Sequence, residues 1–176
     1  MRKFLVVIMM LLIVSAAPNA RADDATNLYQ ALFSKQLAQM PEGFSSASLG
    51  SMPLKPAAQQ AGMAGIAKIT LTGKDTKGEV RYAVFSNRHD IETYARDFSM
   101  PGKPIFFPYF PKAVCSSNGN QQACEIEDGT VMIFAIITDL AEGIHRTTAG
   151  TLAKAALEHL RSVRQSIGQP APPPEE

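Results

Sequence analysis

The chain has 176 residues, of which 45% are hydrophobic and 19% charged, and its formal net charge is +1. A near-neutral chain lacks the concentrated positive field that non-specific binding to nucleic acid or anionic membranes requires. Its length suits one domain with an adequate core.

The first segment reads as an export signal. Arg2 and Lys3 precede an apolar run from Phe4 to Val14, and Ala20-Arg21-Ala22 places small residues at the two positions a signal peptidase inspects. Residues 1–22 are therefore expected to form a secretory signal peptide, cleaved after Ala22. The rival reading is an uncleaved anchor. However, Phe4 to Ala17 gives about 14 largely apolar residues, against the roughly 20 that a spanning helix needs, so no stable membrane span is expected after cleavage. No cysteine follows the cleavage point to carry a lipid, and no Arg-Arg pair marks the twin-arginine route. The expected location is the periplasm, with secretion as the alternative. Losing the leader removes Arg2, Lys3 and Arg21, takes the net charge from +1 to −2, and leaves 154 of the 176 residues. The remaining methionines, Met40, Met52, Met63, Met100 and Met132, are too scattered for a thioether copper site.

The mature chain is expected to fold as a single domain over residues 26–167, with Asp23 to Ala25 frayed. Tyr29, Leu32, Phe33, Leu37 and Met40 recur at helical spacing until Pro41-Glu42-Gly43 stops the helix. Residues 43–65 are rich in Ser, Ala, Gly and Pro and read as a long loop, with a weak strand at Phe44 to Leu49. Ile66 to Leu71 and Val80 to Phe85 read as strands joined by the turn at residues 73–78. Asn87 can cap the next helix with Asp90 in the acidic position, Ile91, Tyr94, Ala95 and Phe98 facing inward, and Glu92 paired with Arg96.

Prolines at 101, 104, 108 and 111 punctuate the aromatic stretch Ile105-Phe106-Phe107-Pro108-Tyr109-Phe110. They fix φ and remove donors, which marks a stiff extended segment or a sheet edge. Val131 to Ile137 has no polar residue, the pattern of a central strand covered on both faces. Thr147 or Thr148 can cap the last helix, whose stripe is Ala149, Leu152, Ala156, Leu160, Val163 and Ile167. Lys154, Glu158, Arg161 and Arg164 are assigned largely to its outer side. Residues 168–176 are Pro-rich and read as a disordered tail. The hairpin-plus-helix units at 66–98 and 121–167 echo each other in topology without aligning in sequence.

Cys115 and Cys124 are the only cysteines, and an oxidising compartment makes them a disulfide. Ser116 to Asn120 between them is turn chemistry, so the bridge should staple two strands of a hairpin. Closing a loop of about ten residues contributes roughly 2.7 kcal/mol in the chain-entropy model. A redox-active dithiol would instead use Cys-x-x-Cys at a helix start.

No catalytic constellation is legible. Gly-x-Ser-x-Gly is absent, and His89, His145 and His159 have no ligand spacing that suggests a metal. Glu125 and Glu127 alternate with Ile126 and share one strand face, expected to be the wet one. No cofactor, metal or nucleic acid is expected.

The resulting fold expectation is α+β: an antiparallel sheet of four to six strands with three helices packed mainly on one face. The functional expectation is a non-enzymatic binding or accessory protein. It would take a protein partner or a small apolar ligand on Phe106, Phe107, Tyr109 and Phe110, because rigid aromatics lose little entropy on binding. An envelope hydrolase and a structural component of an envelope assembly, tethered by the proline-rich tail, are the alternatives.

Overall fold

A computed structural model describes residues 22–96, 102–108, 113–138, 148–170 and 172. The leader lies outside them apart from Ala22, as do Phe98, Tyr109, Phe110, His145 and Thr147.

One antiparallel sheet organises the chain. Its strands are β1 (Phe44–Met52), β2 (Met63–Gly73), β3 (Lys77–Phe85), β4 (Lys103–Ile105), β5 (Val114–Ser117), β6 (Gln122–Asp128) and β7 (Val131–Thr138). Their spatial order is β1-β2-β3-β7-β6-β5-β4. The helices are α1 (22–34), α2 (Pro56–Gln60), α3 (Arg88–Arg96) and α4 (Ala149–Ser166). The α+β class holds, but the described residues form seven strands rather than four to six, and four helices rather than three.

The helices also divide between the two faces of the sheet. Ala25, Leu28 and Leu32 of α1 and the buried stripe of α4 pack on Ala67, Ile69, Leu71, Val80, Tyr82, Val84, Ile126, Ile133 and Ile137. We call this the inner face. Ala58 of α2 and Ile91 of α3 pack with Met63, Ala83, Phe85, Met132 and Phe134 on the other, outer face. Because strand side chains alternate, β7 feeds both cores, with Val131, Ile133, Ala135 and Ile137 inward and Met132 and Phe134 outward. This is why its sequence carries no polar gap.

The strand order is mirrored about the β3–β7 seam, so the two meanders are related by a local two-fold normal to the sheet. The helices following them break that relation, since α3 goes to the outer face and α4 to the inner. The echo is confined to the strands.

Local sequence explains most element boundaries. Asn87 Oδ1 accepts the Asp90 N–H at 3.1 Å, and the Asn87 amide donates to Asp90 Oδ2 at 2.6 Å, opening α3. Thr148 caps α4 by accepting from Thr151 N. Glu92 reaches Arg88 and His89 at 4.0 and 3.9 Å, on the turn before it, and the side chain of its expected partner Arg96 is not among those described. Gly119 (φ 80°) and Gly129 (φ 66°) supply the left-handed positions of the β5–β6 and β6–β7 turns. Cys115 and Cys124 are direct partners in the β5–β6 register and form the disulfide.

Several expectations are corrected. α1 ends at residue 34, and its buried stripe is Ala25, Leu28 and Leu32, leaving Phe33 and Met40 exposed. Ala25 is thus a core residue and not a frayed end. The segment 43–65 is not a long loop: β1 covers nine residues of it, taking in the weak strand expected at Phe44 to Leu49 and running on to Met52, and α2 covers five. Its small side chains hid the period because β1 is an edge strand with little to bury. Ile167 is more than a third exposed at the end of α4. Gly168 to Pro170 are described: Gln169 N donates to Arg164 O, and its side-chain amide to Asp24 O at 2.8 Å, which ties this end to the start of α1.

Candidate functional site

The aromatic–proline segment becomes the β4 border of the sheet. Lys103, Pro104 and Ile105 pair with Ser117, Ser116 and Cys115 of β5. Alternation then separates the residues on either side of Ile105. Ile105 and Phe107 pack against the inner core, whereas Phe106 between them is 70% exposed. Phe107 is an anchor. Its ring lies over α4, 2.6 Å from where a Cβ on Gly150 would stand, so only glycine lets the ring approach that helix.

Val114, adjacent to Cys115 on β5, is also 70% exposed. Cys115 is the register partner of Ile105, so Val114 of β5 and Phe106, the residue that follows β4, stand immediately beyond that pair. They are the two most exposed large apolar side chains among the described residues. Val114 is paired with Glu125 of β6, and Glu125 with Phe134 of β7. A row thus runs across the outer face from Val114 through Glu125 and Phe134 to Arg81 of β3 and Lys68 of β2. Arg81 Nε donates to Glu79, and Lys68 approaches the same carboxylate at 4.0 Å, so these cations are already engaged.

Glu125 is half-buried rather than fully solvated as its alternation with Ile126 implied. Burial, reinforced by the charge of Glu127 two residues on, pushes its carboxyl up to about 7. It therefore holds a proton over part of the neutral range. The described histidines stand elsewhere: His89 is exposed on α3, and His159 is buried on the inner face. Among the described residues, no group of three or more His, Cys, Asp or Glu gathers as a metal site. Among them too, no helix is long and apolar enough to cross a membrane.

Two polar clusters inside the inner core escaped the sequence reading. The Tyr82 hydroxyl lies 2.9 Å from His159 Nδ1 and donates to the Ala156 carbonyl at 3.2 Å. His159 Nε2 is buried and meets no partner in good hydrogen-bond geometry among the described residues. Burial, aided by the charge of Lys35, lowers the affinity of this imidazole for a proton, against the pull of the Gln36 and Lys35 carbonyls. The second cluster joins Arg164, assigned to the outer side of α4, to Asp128 at the β6–β7 turn. Both residues are buried, at 4% and 7% exposure. Arg164 Nη1 donates to Asp128 Oδ2 and Nη2 to the Asp128 carbonyl at 2.7 Å, while Arg161 approaches from the rim at 3.6 Å. The only sequence signal for either cluster is position: His159 and Arg164 each follow a core residue of the α4 stripe by a number of residues that returns them to its flank.

Of the four aromatic residues singled out from the sequence, the structure exposes Phe106 and packs Phe107. Tyr109 and Phe110 are not among the described residues. Val114 joins the site unannounced, because one valine beside a cysteine carries no pattern. No family model, curated protein or solved structure matches the chain.

Proposed function

We propose that this is a small exported, non-enzymatic binding or accessory protein, stabilised by its disulfide, that holds a protein partner at the β4–β5 border. The observation that carries the reading is the exposure of Phe106 and Val114, each 70%, on neighbouring segments whose other apolar residues are packed. Apolar side chains left open side by side mark contact surfaces. The anchoring of Phe107 on α4 and the Cys115–Cys124 bridge hold both residues on a stiff frame. A preformed contact loses little entropy when it is used. The border offers a shelf to a partner's apolar side chain, with Glu125 beside it as a polar group to fix orientation. The leader's pattern supports a periplasmic setting.

The test is native mass spectrometry of protein purified from its own periplasm, compared with a Phe106→Ser/Val114→Ser double variant. The expected result is a partner mass, beyond that of copies of the chain itself, that co-purifies with the wild type and is lost from the double variant. Both changes lie at exposed positions, so the variant should keep the wild-type unfolding midpoint. A bare wild-type chain, or a partner retained by the double variant, would overturn the reading. A co-purifying mass of a few hundred daltons would replace the protein partner with a small apolar ligand.

A further inference from the structure

The two borders of the sheet are built in opposite ways. β4 is three residues long and two of them are Lys103 and Pro104. Brevity, a lysine and a proline are the devices by which an edge avoids pairing with another chain. β1 has none of these three, and its one bulge stands at the strand's start, between Phe44 and Ser46. Its nine residues, Phe-Ser-Ser-Ala-Ser-Leu-Gly-Ser-Met, contain no charge and no proline, and Pro41 and Pro53 stand just outside. Among the described residues β1 pairs only with β2, which leaves the donors and acceptors of its other side directed away from the sheet. Only an extended backbone satisfies such a row, so the chemistry of the edge specifies a β-strand as its occupant.

The sequence of β1 favours itself in that role. In an antiparallel pair centred on Ser48, Ser48 faces its own copy, Ala47 faces Leu49 and Ser46 faces Gly50, while Phe44, beyond the bulge that precedes Ser46, turns into the inner core and stays outside the pairing. No like charges meet, and Ala47 and Leu49, both partly buried against the inner core, continue that core across the seam. A two-fold axis normal to the sheet also keeps the α1 helices of both copies on one side. On that side Phe33, stacked on Tyr29, is exposed at 39%, and Met40, in the connector that follows α1, is exposed at 43%. These two apolar residues have no role in the monomer's core and lie in the helix and connector that lead into β1. An isologous pairing doubles them about one axis, as closed symmetry requires.

We propose that the β1 edge is a homodimer interface, in which β1 strands of two copies pair antiparallel about Ser48 to make one continuous fourteen-stranded sheet, two seven-stranded halves joined edge to edge. This surface lies at the opposite border from Phe106 and Val114, so its failure leaves the partner site untouched and the reverse also holds.

Sedimentation equilibrium of the mature, oxidised protein over a wide concentration range tests it, together with three variants at exposed positions of β1. The wild type should sediment as a dimer. Ser48→Lys places two ammonium groups against each other at the axis, and its mass should fall by half while its circular dichroism stays native. Ser48→Cys should cross-link to its own copy on mild oxidation, whereas Ser46→Cys, which faces Gly50, should cross-link far more slowly. A wild type that is monomeric throughout, a dimer that survives Ser48→Lys, or Ser46→Cys cross-linking as fast as Ser48→Cys would each overturn the proposal. Should Ser48→Lys fail to fold, the two cysteine variants decide the matter alone.

Discussion

Replacing Arg164 by methionine should expose how much of the fold hangs on one buried ion pair. The guanidinium makes two contacts to Asp128, one to the carboxylate and one to the carbonyl, and both residues are almost fully out of water. Burial disfavours the charged form of Arg164 and the neighbouring carboxylate restores it. Methionine keeps much of the volume but strands the Asp128 carboxylate, with Arg161 its nearest cation at 3.6 Å. Arg161 is half exposed, so solvent screens its help. Breaking such a pair from one side costs about 3–5 kcal/mol. In a domain of this size each kcal/mol moves the thermal midpoint by roughly 2–4 °C, so a fall of about 10 °C is expected.

Urea unfolding followed by circular dichroism measures the change directly. One further result belongs to the same reasoning. In Arg164→Met/Asp128→Ala the orphan charge is gone, and the loss should be at least about 2 kcal/mol smaller than the sum of the single losses. A single substitution costing less than about 1 kcal/mol, or strict additivity in the double variant, would refute the account of the pair as a buried, mutually dependent contact.

Two other perturbations follow from the inner face. His159 is buried with its proton affinity lowered, so the unfolded chain binds the extra proton. Stability should therefore be complete above the unfolded value near 6.5 and decline below it, by at most about 1.4 kcal/mol per pH unit. Urea midpoints at pH 5.5 and 7.5 should differ more for the wild type than for His159→Gln. Gly150→Ala should force the Phe107 ring off α4 and cost about 1–3 kcal/mol. Because the clash is with that ring, Gly150→Ala should cost little when introduced into a Phe107→Ala background, which a thermal melt of the four proteins would show.

Elements with strong periodicity or capping chemistry were legible in the sequence. β2, β3, β7 and α4 fall where alternation, an unbroken apolar run and a threonine cap place them, and the cysteines meet across the hairpin that their spacing implies. What escaped notice had a physical reason in each case. β1 reads only as a weak strand inside a loop because an edge strand of Ser, Ala and Gly has almost no apolar alternation. The split of the helices between two faces depends on where the connections after β3 and β7 turn, and no local pattern records that. At the candidate site, proline and aromatic residues marked the border. Which aromatic faces outward was decided by alternation past Ile105 and by the space that Gly150 leaves, a contact between positions distant in sequence. Arg164 looks solvated in sequence because its partner, Asp128, sits on another element.

The β3–β7 seam carries a consequence for the order of assembly. β1-β2-β3 and β5-β6-β7 are meanders of short-range pairings, each formed from strands that follow one another in the chain. The seam alone joins strands from opposite halves, and both cores lie across it. Closing it means ordering the long intervening stretch of chain before any of the burial is gained, which places the seam among the slow, high-contact-order steps. The meanders can form early and locally, but β7 must reach β3 before α4 has a floor to pack on. Destabilising substitutions in the seam should therefore slow folding, while those on the outer strands mainly speed unfolding.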